Sequence, residues 1–239
     1  MTAVTELRGV SASYGSFRVL FEVDFQIDDG EAVALLGSNG SGKSTIARVL
    51  TGLVPVGEGR RLIDGRDASG WATWRIRRAG VLHVPEGRGV FSSLSVDENL
   101  RVGLLAQPRS ARRRLLAETY GRFELLAERR RSRAGTLSGG QQRLLSLATS
   151  LVAPPRLLIA DELSLGLAPM VLDEIYASLR DLRAAGCSLL VIEQQLDRAL
   201  GLADRAVVVD HGRVIHSGPP ESAIVVMEAG LAQNDDRSD

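Results

Sequence analysis

GSNGSGKST, Gly37 to Thr45, holds the only lysine of a 239-residue chain that carries 28 arginines. Before it stands EAVALLG (residues 31 to 37), a short apolar run ending in glycine that predicts a buried strand. After it comes KSTIARVLTGL, with helical spacing that stops near Gly52 and Pro55. A strand, then G-x-x-x-x-G-K-S, then a helix is a phosphate-binding loop. Its glycines let backbone N–H groups turn inward around phosphate oxygens, helped by the positive end of the helix dipole. Lys43 then reaches the outer phosphates of a nucleotide as a compact charge, and Ser44 offers a hydroxyl to Mg²⁺. Arginine's broad, rigid fork fits poorly in so tight a loop. So lysine persists where its shape matters. The expected nucleotide-binding residues here are Gly37, Ser38, Asn39, Gly40, Ser41, Gly42, Lys43, Ser44 and Thr45.

Outward from this loop, strand and helix patterns alternate. Strands are expected at AGVLHVP, RLLIAD, SLLVIE and RAVVVDHG, with amphipathic helices such as APMVLDEIYASLRDLRAAG between them. That alternation implies an α/β fold with a mainly parallel sheet covered on both faces. The first 30 residues differ, because ELRGVSASYG and RVLFEVDFQIDDG read as an antiparallel β pair. Residues 96 to 150 lack strand signals and are rich in leucine, arginine and glutamate, so they read as a helical insertion. The tail QNDDRSD is expected to fray.

Two further stretches carry chemistry. LLIADE puts Asp161 and Glu162 at the end of an apolar strand. An aspartate so placed in a P-loop protein holds Mg²⁺, and the neighbouring glutamate can act as general base on an attacking water. TLSGGQQR (residues 136 to 143) sets Ser138 at a helix start, followed by two glycines. That offers a hydroxyl and exposed N–H groups to an anion.

LSGGQ between a P-loop and an acidic strand end is highly specific. Over essentially its whole length the sequence resembles the ATP-binding subunits of ABC transporters. The resemblance implies a single domain over residues 1–239 with a RecA-like P-loop NTPase core. Residues 1–90 and 153–232 would form the β subdomain and core, 91–152 the helical subdomain, and 233–239 the frayed tail. It further implies ATP and Mg²⁺ as cofactors and a head-to-tail pair of subunits. Ser138, Gly139, Gly140 and Gln141 of one would then close over ATP held by the other.

The remaining family positions follow from the same resemblance. Tyr14 matches the aromatic that stacks on adenine, with Val19 beside it. SLGL (Ser164 to Leu167) matches the loop that crosses the dimer interface. Glu86 replaces the usual glutamine that reads Mg²⁺, Gln194 the usual histidine on the γ-phosphate, and Leu163 the usual proline after the acidic pair. The catalytic pair is therefore expected to be Glu162 and Gln194, and the metal set Ser44, Glu86 and Asp161. VPEGR, SLGLAP and EQ together are similar to the ATPase subunits of branched-chain amino acid importers. Such a subunit is peripheral, on the cytoplasmic face of the membrane. It partners a second ATPase and transmembrane permease subunits, and serves a solute-binding protein indirectly. In family members a groove near residues 86 to 100 receives a helix of the permease, and here Ser95 and Glu98 have capping-box spacing.

Composition trims the alternatives. The 29 basic and 29 acidic residues cancel, so no global field favours nucleic acid or an anionic membrane. The nine arginines between Arg109 and Arg133 are interleaved with Glu118, Glu124 and Glu128, the pattern of a solvated helical face. No nucleic-acid partner is expected. The lone Cys187 lies in an apolar stretch, which points to core and excludes an internal disulfide. No signal-peptide pattern opens the chain and no run of 18 apolar residues spans a membrane. His83, His211 and His216 lack metal-ligand spacing, and His83 reads as structural. The alternative classes are a soluble ABC-type protein acting on nucleic acid and a regulatory nucleotide-binding module. Retention of Glu162 favours hydrolysis.

Overall fold

β1 (Ala3–Tyr14) and β2 (Phe17–Asp28) form a long antiparallel hairpin, as the opening alternation requires. The computed structural model describes residues 3–84, 89–105, 107–163, 169–193 and 196–235. β3 (Ala32–Leu36) is buried at every position, which is why it reads as an unbroken apolar run. It feeds the P-loop and α1 (Lys43–Leu50). β4 (Glu58–Ile63) and β5 (Arg66–Asp67) follow, then α2 (Thr73–Arg78) and β6 (Val81–Val84). The helical stretch comprises α3 (Val96–Gly103), α4 (Arg109–Arg122), α5 (Glu124–Glu128), a 3-10 turn (Ala134–Thr136) and α6 (Gly139–Leu151). The chain then returns through β7 (Leu157–Asp161), α7 (Pro169–Ala184), β8 (Ser188–Ile192) and α8 (Leu196–Leu200). It closes with β9 (Arg205–Asp210), β10 (Arg213–Gly218) and α9 (Pro220–Asp235).

Among the described residues these strands make two sheets, ordered β2-β1-β4-β5 and β10-β9-β3-β8-β7-β6. The second is parallel except for β10, which returns antiparallel along β9. The expected α/β class with an antiparallel N-terminal sheet is what the chain adopts. Side chains of β3 alternate between its two cores. Ala32, Ala34 and Leu36 join Leu100, Phe123 and Leu144 of the helical stretch, whereas Val33 and Leu35 join the β1–β2 hairpin and α1. The P-loop thus springs from the strand that both cores grip.

β4, β5, α2 and β10 lie where no element is expected from the sequence. β4 pairs antiparallel with β1, yet three of its six residues are exposed and its buried half contains Arg61. The Arg61 guanidinium is 1% exposed and donates to carbonyls of Val49, Ala68, Ser69 and Trp71. It thereby adds a second donor to the Val49 carbonyl in the last turn of α1, which also accepts from the Gly52 N–H at 3.1 Å. α9 continues through Asp235, so Gln233 to Asp235, expected to fray, are helical. α3 carries the capping box its sequence predicts. The Glu98 N–H bonds to the Ser95 hydroxyl at 3.2 Å and the Ser95 N–H to the Glu98 carboxylate at 2.7 Å. On α4, Leu115, Leu116 and Thr119 face inward while Arg109, Arg113 and Arg114 stand in solvent.

Candidate functional site

The P-loop begins where β3 ends, and its shape depends on glycine. Gly37 has φ +146°, and a side chain there would collide with the Val209 carbonyl oxygen and the Ser41 hydroxyl. Gly42, the residue before α1, has φ +112° and lies against Leu20. These left-handed values are open to glycine and costly for other residues. The β9–β10 turn braces the loop from behind, since the Gly212 N–H donates to the Ser41 carbonyl at 2.8 Å. Ser38, Asn39 and Gly40 stand exposed, and Ser41, Gly42 and Thr45 are buried. The buried Ser41 hydroxyl has no hydrogen-bond partner among the described residues.

Lys43, the chain's one lysine, is 4% exposed. Its ammonium donates to the Gly37 and Ser38 carbonyls at 2.9 and 2.8 Å. Burial pulls its pKa below the ordinary lysine value, while the nearby Glu162 and Asp161 carboxylates oppose that shift. Residues far apart in sequence therefore meet here. The Ser44 hydroxyl donates to Oδ1 of Asp161 at 3.2 Å. Asp161, at the end of β7, is buried. His83 on β6 places Nε2 3.5 Å from Oδ2 of the same carboxylate, and neither ring nitrogen makes a hydrogen bond among the described residues.

Glu162 is half-buried, with its N–H donating to the Ile192 carbonyl at 2.8 Å. Its φ is +48°, a left-handed value that a non-glycine residue holds only when its surroundings enforce it. Leu163 follows, buried at 1% exposure, and its carbonyl accepts from Nη1 of Arg143 at 3.2 Å. Neither Arg143 nor Arg61 could be singled out from sequence, because a buried arginine looks like any other in an arginine-rich chain.

The hydroxyl of Ser44 and the carboxylate of Asp161 are hard oxygen donors. They fit the protein side of an Mg²⁺ site completed by phosphates and water. No group of three or more His, Cys, Asp or Glu that could hold a metal occurs among the described residues. A shared site of the phosphate-and-water kind needs none.

Tyr14, at the end of β1, is 43% exposed, and its hydroxyl accepts from Arg48 of α1 at 3.0 Å. Val19 is half-buried on β2. Ser138 caps α6 with Gln141, each side chain bonding the other's backbone N–H, at 3.3 and 3.0 Å. Ser138 and Gly139 are exposed, with Gly140 and Gln141 half-buried. No hydrogen bond among the described residues joins Ser138–Gln141 to the P-loop. Glu86, Gln194 and Ser164 to Leu167 lie outside the described residues.

A family profile described as ABC transporter matches residues 20–164. A high-affinity branched-chain amino acid transport ATP-binding protein, BraG of Pseudomonas aeruginosa, is 38% identical over 206 residues, covering 86% of this chain and 88% of its own. A methionine import ATP-binding protein, MetN 1 of Rhodococcus jostii, is 34% identical, covering 90% of this chain and 66% of its own. A solved ATP-binding subunit of an ABC transporter superposes with a TM-score of 0.82 at 28% identity, covering 90% of both chains. The chain belongs to the ABC transporter family and is one of its ATP-hydrolysing, ATP-binding subunits.

Proposed function

We propose that this chain is the energy-coupling ATPase of an importer for branched-chain or related amino acids. It works peripherally, on the cytoplasmic face of the membrane. The observation that carries the hydrolytic part is the meeting of Lys43, Ser44, Asp161 and Glu162 at the ends of two parallel strands. The solute class rests on likeness to the branched-chain transport protein of Pseudomonas aeruginosa and on the VPEGR, SLGLAP and EQ stretches. No described helix is long and apolar enough to cross a membrane, so permease subunits supply the pathway.

In this reading ATP lies on the P-loop with its base against Tyr14 and Val19. Lys43 exchanges its backbone carbonyls for phosphate oxygens, and Ser44 and Asp161, with Glu86, hold Mg²⁺. Glu162 takes a proton from water as the water oxygen bonds to the γ-phosphorus. The bond from that phosphorus to the β–γ bridging oxygen breaks, and ADP leaves with its electrons. Gln194 positions the γ-phosphate by hydrogen bonding, since an amide cannot titrate near neutrality. The N-terminus of α6, Ser138 to Gln141, exposed at Ser138 and Gly139, closes over ATP held by a second subunit. Residues 1–90 and 153–232 act as the nucleotide-holding body and 91–152 as the helical lobe that meets the permease.

The experiment is uptake of radiolabelled leucine by cells lacking the gene, complemented with wild type or Lys43→Ala. Wild type restores uptake and the variant does not. Copurification of the chain with RNA rather than with permease subunits would defeat the transport reading.

A further inference from the structure

We propose that Arg143 is a positioning residue for hydrolysis, fixing from α6 the backbone that carries Glu162. Arg143 is 6% exposed and lies five residues past the Ser138 cap. Its guanidinium donates to the Leu163 carbonyl at 3.2 Å. Leu163 is itself buried, so that oxygen has no ready exchange for water. On the other side, the Glu162 N–H is tied to the Ile192 carbonyl at 2.8 Å. Glu162 thus sits in a left-handed conformation between two anchors, one on β8 and one on α6.

The same face of α6 does a second job one turn later. Ser146 packs so closely on Gly89 that any side chain there would strike its hydroxyl. One rigid helix therefore holds both the residue after Glu162 and the chain returning from β6. Its first turn, Ser138 to Gln141, is the part proposed to meet the nucleotide of a partner subunit. α6 consequently links the nucleotide at one site to the base of the other.

The chemistry explains why an arginine suits the position. A guanidinium stays charged and offers several donors in a fixed plane. Removing it takes from a buried carbonyl its one donor among the described residues, and the local backbone relaxes to find a partner. A shift of about 1 Å in a catalytic group can cost roughly 100-fold in rate. The substrate contacts of Lys43 and Tyr14 stay in place. The loss should therefore fall on kcat and leave KM for ATP nearly unchanged.

This inference rests on Glu162 being the general base, and the experiment separates the two. Steady-state and single-turnover hydrolysis are measured for Arg143→Met, Arg143→Lys, Glu162→Gln and the Arg143→Met/Glu162→Gln double variant. Arg143→Met should lower kcat by about 10- to 100-fold at a KM within about twofold of wild type. Arg143→Lys, with a donor of shorter reach, should recover part of that loss. In the Glu162→Gln background Arg143→Met should change the residual rate by less than about twofold, since it acts through a base already gone. A kcat for Arg143→Met within about twofold of wild type, while Glu162→Gln is slowed about 100-fold or more, would overturn the role of Arg143 alone. Independent, multiplying losses in the double variant would overturn it equally. If Glu162→Gln kept turnover within about tenfold of wild type, the base assignment itself would fail, and this inference with it. Should Arg143→Met not fold, Arg143→Lys carries the test: lowered kcat at unchanged KM supports the role, and wild-type kcat overturns it.

Discussion

The Ser44 hydroxyl donates to Oδ1 of Asp161 at 3.2 Å, across 117 residues of sequence. One oxygen comes from the first turn of α1 and the other from the end of β7, so both are fixed by regular structure. Ser44→Ala should raise the Mg²⁺ concentration needed for half-maximal hydrolysis by about tenfold, the loss of one oxygen ligand worth ~1.4 kcal/mol. A Mg²⁺ titration checks this. An unchanged midpoint would separate Ser44 from the metal.

Lys43→Ala should reduce ATP affinity by about 100-fold or more, from loss of a buried charge-assisted contact worth ~3 kcal/mol. Lys43→Arg should not restore it. The ammonium fits between the Gly37 and Ser38 carbonyls, where a planar fork does not. Calorimetry with ATP decides, and equal affinity for wild type and either variant would refute the assignment.

Glu162→Gln should bind ATP normally but turn it over roughly 10² to 10⁴ times more slowly, the range for a lost general base. ATP should then hold the variant as a dimer on size exclusion, because the binding contacts remain.

Arg61→Met should destabilise the fold by about 3 kcal/mol, since the carbonyls of Ser69 and Trp71 lose the guanidinium donor and that of Ala68 keeps only the Trp71 N–H. Urea denaturation reads this as a lower midpoint at an unchanged slope. A midpoint equal to that of wild type would mean the guanidinium is replaceable there.

Burial pushes the Cys187 thiol up from 9.0 to about 11. Between those values the folded chain keeps a proton that the unfolded chain has lost. Stability from this group is therefore full below about pH 9 and declines as pH rises toward 11, by at most ~2–3 kcal/mol. Cys187→Ala should flatten that decline in urea midpoints measured from about pH 8 to about pH 10. The buried Tyr176 hydroxyl, also raised by burial, adds a decline of the same sign that this variant leaves in place.

Much of the core and of the nucleotide site was legible because it uses extreme patterns. β3, β7 and β8 are buried at every position and read as apolar runs, and the P-loop's glycines and single lysine stand out in an arginine-rich chain. β4 was illegible because its buried half begins with Arg61, which composition assigns to the surface. In the sequence Arg143 only closes the TLSGGQQR stretch, and Leu163 only replaces the usual proline after the acidic pair. The hydrogen bond between them depends on how α6 lies against β7, which no local pattern encodes. His83 reads as structural from its apolar strand, and its register places it opposite Ile159, near enough for its ring to face Asp161.

β3, the root of the P-loop, is flanked by β8 and β9, and the loop itself is braced by Gly212, all from the last quarter of the chain. A ribosome that has just added Lys43 must therefore add some 170 more residues before the loop has its supports. At ordinary elongation speeds that wait is roughly 10–30 s. Throughout it the nascent chain cannot grip nucleotide, and Ala32–Leu36 waits as an unpaired apolar strand exposed to aggregation or to a chaperone.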